Sequence, residues 1–140
     1  MSKISTGRSG EELAADFLRK RGFKIVERNY KCHFGEVDII AREADTLVFV
    51  EVKTRSSREF GTPAEAVVKR KLDHIKNVAS FYRIGKDNLP LGDRIDVVAI
   101  ELSAGRSPQI ELIENVTGWI WEYFLLKFAS LFKASKFLGL

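Results

Sequence analysis

The segment Gly35-Glu36-Val37-Asp38-Ile39-Ile40-Ala41, followed after a short polar interval by Leu47-Val48-Phe49-Val50-Glu51-Val52-Lys53-Thr54-Arg55, sets the architecture of the chain. Its two halves read as β-strands over Gly35 to Arg42 and Thr46 to Arg55, joined by a tight polar turn at Glu43-Ala44-Asp45. On the second strand Val48, Val50 and Val52 share one face, a β-branched row suited to a core. The opposite face carries Leu47, Phe49, Glu51, Lys53 and Arg55, apolar at first and then charged. Such a strand leaves a buried layer and enters a cleft.

A hairpin with its loop over Glu43–Thr46 pairs Arg42 with Leu47, Ile40 with Phe49, Asp38 with Glu51 and Glu36 with Lys53. Two carboxylates then face each other across neighbouring strands, and partial burial sharpens their repulsion. A hard divalent cation shared by Asp38 and Glu51, Mg²⁺ or Mn²⁺, is the simplest compensation. Lys53, two residues after Glu51 on the same face, has its ammonium beside that position. There it can orient a nucleophilic water and offset charge developing on phosphorus. The plain alternative for Lys53 is a cross-strand ion pair with Glu36.

Upstream, Ser9-Gly10-Glu11-Glu12 reads as a capping box opening a helix through Leu13, Ala14, Phe17 and Leu18 that stops near Gly22. Glu11 lies one turn before Ala14 and Ala15, so it faces the sheet and adds a third carboxylate. Phe23 to Tyr30 follows as a strand, with Phe23, Ile25 and Glu27 on one side. Downstream, Thr62-Pro63-Ala64-Glu65 opens a helix to about Tyr82. Its buried stripe is Ala64, Val67, Val68, Leu72, Ile75, Val78, Ala79 and Tyr82. Lys71 falls inside that stripe and must either snorkel toward an edge or meet an anion, a phosphate or a buried acid such as Asp96. Strands over Ile95 to Leu102 and Gln109 to Glu114 complete the sheet. An aromatic-rich helix spans Trp119 to about Leu138. The order is α-β-β-β-α-β-β-α, a mixed sheet flanked by helices, with residues 1–116 as one α/β domain and 117–140 as an amphipathic C-terminal addition.

The composition of the 140-residue chain, 45% hydrophobic and 30% charged, excludes a disordered protein. One cysteine, Cys32, excludes an internal disulfide and suits a reducing compartment. With no apolar run long enough for a signal peptide or a span, the expected location is the cytoplasm. Residues 53–86 hold nine basic side chains against three acids, while the rest of the chain is slightly acidic. Arg55, Arg58, Lys69, Arg70, Lys71 and Lys76 form the part of this block expected to attract a phosphate backbone. The wide apolar face of the C-terminal helix favours packing on the sheet or a homodimer over a membrane surface.

Taken together, these residues resemble the Asp…(Asp/Glu)-x-Lys nuclease superfamily, whose restriction-endonuclease-like fold is shared with archaeal Holliday-junction resolvases. The chain is still more similar to the YraN-like family of bacterial proteins, over roughly residues 7 to 116. Gly10-Glu11, Gly22-Phe23, Arg28-Asn29-Tyr30, Gly35-Glu-Val-Asp-Ile-Ile-Ala, Val48-Phe-Val-Glu-Val-Lys-Thr-Arg55, Phe60-Gly61, Glu65-Ala-Val, Lys71 and Arg94-Ile-Asp-Val-Val98 carry the likeness. It implies a nuclease-like α-β-β-β-α-β core, metal ligands at Asp38, Glu51 and the Val52 carbonyl, a helical acid at Glu11, and Lys53 as the catalytic lysine. The implied substrate is DNA, of branched or otherwise structured form by the same resemblance. Val37 stands where the superfamily often has proline, and Ile95 where relatives tend to have phenylalanine; neither change removes a ligand. The competing readings are a nucleic-acid-binding module of the same fold that cuts nothing, and an interaction or membrane-peripheral protein acting through its C-terminal helix.

Overall fold

The computed structural model describes residues 3–56 and 69–116. In chain order the elements are α1 (Lys3–Lys20), β1 (Lys24–Cys32), β2 (Gly35–Glu43), β3 (Thr46–Ser56), α2 (Lys69–Arg83), β4 (Gly92–Leu102) and β5 (Gln109–Ile113). This is the expected alternation of helices and strands. The opening of the second helix at Thr62 and the C-terminal helix, with the dimer and membrane roles attached to it, lie outside the described residues.

The strands form one five-stranded sheet in the order β1-β2-β3-β4-β5. Hairpins make β1–β2, β2–β3 and β4–β5 antiparallel, whereas β3 and β4, separated in sequence by α2, run parallel. Alternation along β3 sorts the side chains onto two faces. Leu47 and Phe49 pack with Leu72, Ile75, Val78, Ala79 and Tyr82 of α2, while Val48 and Val50 pack with Ala14, Ala15 and Leu18 of α1. The central strands are therefore buried on both sides, which is why Leu47–Val50 and Ile95–Ile100 read as continuous apolar runs broken only at Asp96.

Three expectations are corrected. The first helix begins at Lys3, so Ser9 lies inside it and no capping box operates there; Glu12 instead accepts a hydrogen bond from Arg28 Nη1 at 3.0 Å. Phe23 precedes β1, and the register shifts between Ile25 and Glu27. This bulge reverses the alternation: Ile25 packs toward α1, while Glu27 accepts the Tyr82 hydroxyl on the α2 side. Finally, Lys71 does not meet Asp96. Asp96 sits between Ile95 and Val97, which face α2, and so points the other way, where Arg94 Nε and the Asn115 N–H donate to it at 3.0 and 2.9 Å.

Candidate active site

The hairpin β2–β3 closes as its hydrophobic pattern requires, with Arg42 opposite Leu47 and Ile40 opposite Phe49. Its paired register ends at Ile39 and Val50, one step short of Asp38 and Glu51. On the other side of β2 the pairing with β1 steps from Arg28–Ile39 to Tyr30–Val37, passing over Asn29 and Asp38. Asn29 has φ 54°, a left-handed conformation that asparagine adopts more readily than most residues. Val37 and Ile40, three residues apart, both join the α2-side core, so the alternation of β2 is broken between them. Asp38 occupies that break.

Released from the ladder, the Asp38 carboxylate takes a backbone partner of its own. The Val52 N–H donates to Asp38 Oδ2 at 2.7 Å. In an extended strand the N–H and C=O of one residue leave toward the same neighbour, so the Val52 carbonyl faces the same gap. Glu51, 5% exposed, shares a side-chain hydrogen bond with Asp38. Burial, then the hydrogen bond and charge of Asp38, push the Glu51 carboxyl from its ordinary 4.5 up to about 8, against the opposing pull of Lys71. Lys71 Nζ stands 3.2 Å from Glu51 Oε2. Two acids and one ammonium are thus drawn together at a single buried point.

Where β2 and β3 part, a cleft of about 270 Å³ opens, lined by Glu11, Asp38, Val52, Lys53 and Thr54. Glu11 reaches it because α1 lies close on β3: at Gly10 a Cβ would overlap the Thr54 hydroxyl. Glycine in a helix costs about 1 kcal/mol relative to alanine, and here it permits the close approach. One carboxylate oxygen of Glu11 is buried and has no hydrogen-bond partner. A buried oxygen left unmet, in a cleft with Asp38 and the Val52 carbonyl, suits a hard cation with oxygen ligands. The donors are dispersed around the cleft, and among the described residues no group of three or more His, Cys, Asp or Glu side chains is gathered as a ready-made cage.

A profile of the uncharacterised protein family UPF0102 matches residues 10–100. The chain belongs to that family. It is 45% identical over 116 residues to a UPF0102 protein of Caldicellulosiruptor saccharolyticus, covering 82% of this chain and 98% of the relative. A UPF0102 protein of Nocardia farcinica is 46% identical over 114 residues, covering 81% and 90%. One of Dictyoglomus thermophilum is 48% identical over 103 residues, covering 74% and 87%. The span matched by the UPF0102 profile begins at Gly10, beside Glu11, and includes Asp38, Glu51, Val52, Lys53 and Lys71.

The remaining residues singled out in this UPF0102 chain are distributed differently. Glu36 does not face Lys53, because the β2–β3 ladder has already ended; it lies opposite Lys31 on β1, at 3.8 Å in an exposed pair. Lys76 is exposed and lines a second cleft with Phe49, Asp93 and Arg94. Phe49 and Asp93 of that cleft lie four and six residues along the paired strands from Lys53 and its partner Ala99, about 13–20 Å at strand spacing, so Lys76 belongs to a different part of the sheet. Arg55 is the penultimate residue of β3, and Lys69 and Arg70 are the first described residues of α2, at the end of the sheet that bears the cleft. Arg58 lies outside the described residues. Two features had no reading in the sequence: the partnership of Lys71 with Glu51, and the left-handed Asn29 that frees Asp38. The second had a local signal, an asparagine interrupting the alternation of a strand at Arg28-Asn29-Tyr30.

Proposed function

We propose that this UPF0102 protein is a nucleic-acid-binding protein of restriction-endonuclease-like architecture whose cleft hydrolyses phosphodiester bonds with Mg²⁺ or Mn²⁺. The observation that carries the reading is the meeting of Asp38 and Glu51 at the end of the β2–β3 ladder, with Asp38 and Lys53 lining one cleft. The α-β-β-β-α-β order, with the last strand parallel to its neighbour, supports the fold assignment.

Asp38, Glu51 and the Val52 carbonyl would hold the cation, with the unmet oxygen of Glu11 completing its oxygen set. When bound, the cation supplies a Lewis acid that polarises the phosphate and acidifies a water. Lys53 orients that water and offsets charge on the phosphoryl oxygens. The Val52 N–H fixes the Asp38 carboxylate in the gap, so the ligand is positioned by backbone and not by a mobile neighbour. Arg55, Lys69 and Arg70, on elements at that end of the sheet, would meet a DNA backbone, and Arg58 is assigned to the same role from the sequence alone.

Purified protein, incubated with Mn²⁺ and a panel of duplex, flap and four-way-junction DNAs, tests the proposal. Cleavage that is lost in Lys53→Ala and Asp38→Asn is the expected result. Cleavage that survives both changes overturns it. Salt-sensitive DNA binding with no cleavage under any metal supports the second reading, a binding module of the same fold. The ion pair between Lys71 and Glu51 is the observation that favours it.

A further inference from the structure

Lys71 lies near the start of the described part of α2, on the face turned to the sheet, immediately before buried Leu72. Its ammonium is 3.2 Å from Glu51 Oε2, on a carboxyl whose side chain is 7% exposed, while the lysine side chain is 42% exposed. The other hydrogen-bond partner given by the Glu51 surroundings is an acid, Asp38. The two ends of the ion pair differ in freedom. Glu51 is fixed in the middle of β3, paired to Val97 of β4, whereas the lysine has a flexible four-carbon stem and an open route to solvent.

We propose that Lys71 is a placeholder cation: it holds the Glu51 oxygen that a divalent cation takes on loading, and is then released to bind a phosphate of the nucleic acid. The inference rests on the metal-site reading above and adds a coupling to it. An ammonium and a dication compete for one carboxylate oxygen, so Lys71 opposes metal entry. Once displaced, it stands beside Glu51 as a free positive charge, directly after Lys69 and Arg70 in the sequence. Metal loading and phosphate binding therefore favour each other, and by linkage each strengthens the other by the same factor.

Calorimetric titration of Mn²⁺ into the full chain, and into its K71M, K71Q, K71R and D38N forms, tests this without any turnover. K71M and K71Q are expected to bind Mn²⁺ at least about fivefold more tightly than the parent, and K71R to stay within about twofold of it. In parallel, Ca²⁺ is expected to tighten binding of a labelled DNA duplex by the parent, and to do so less in K71M and K71Q. If folded K71M and K71Q bind Mn²⁺ no more tightly than the parent while D38N loses binding, the placeholder role is overturned and the metal site stands. Mn²⁺ bound equally by parent and D38N, or by neither, overturns both.

Discussion

The Val52 amide donates to Asp38 Oδ2 at 2.7 Å, so a side chain takes the place of a ladder carbonyl where β2 and β3 separate. A carboxylate held by a backbone N–H cannot rotate away from its neighbour. Asp38→Ala leaves that N–H without its partner and is expected to cost about 1–3 kcal/mol. Asp38→Asn, which keeps an acceptor oxygen, is expected to cost less. Urea unfolding of both variants checks the difference; equal losses would show that the bond to Val52 contributes little.

Glu51 gives the metal-free protein a pH-dependent contribution to stability. Its carboxyl titrates near 8 when folded and near its ordinary 4.5 when unfolded. Between those values the folded state retains a proton that the unfolded chain has lost, so stability falls as pH rises through the window. Glu51→Gln cannot ionise and escapes that loss. With EDTA present, the stability of Glu51→Gln relative to the parent is expected to grow from about pH 4.5 to about pH 8 and then to level off. A difference that stays flat across this range would place the Glu51 proton elsewhere.

Gly10 gives α1 its close approach to β3. Gly10→Ala drives a methyl into the Thr54 hydroxyl, and overpacking of this kind costs about 1–3 kcal/mol, more than the gain in helix propensity. Thr54→Ala removes the obstructing oxygen, so the double variant is expected to recover much of the loss. A double-mutant cycle from thermal or urea unfolding measures the coupling, and additive effects would contradict the contact.

Asp96 is the buried acid with a structural task. It is fully buried and bonded to Arg94 and to the Asn115 N–H, and Arg94 also reaches Glu43 on β2 at 2.7 Å. Arg94→Met removes the cation and leaves the acid, which is expected to cost about 3–5 kcal/mol. Urea unfolding tests this, and the variant, where folded, is expected to retain Mn²⁺ affinity because Asp96 lies on the α1 face, away from Glu51.

The strands and the α2 core were legible because alternation and β-branched runs report burial directly. Leu47-Val48-Phe49-Val50 specified both faces of β3, and Leu72, Ile75, Val78, Ala79 and Tyr82 specified the inner stripe of α2. The register was legible as far as Ile40 and Phe49, but not beyond Ile39 and Val50, because a break in pairing leaves no mark on hydrophobic pattern. For the same reason the bulge after Ile25 was missed, and with it the side taken by Glu27. The partner of Lys71 is Glu51 and not Asp96, an acid on the neighbouring strand. They point to opposite faces of the sheet, and only the packing of α2 on one face decides between them.

The most direct measurement is a crystal of the full chain soaked in Mn²⁺ and examined for anomalous scattering. The account predicts a peak in the gap bounded by Asp38, Glu51 and the Val52 carbonyl, with the Lys71 ammonium moved off Glu51. No peak there, with Lys71 still on Glu51 at saturating Mn²⁺, would contradict it.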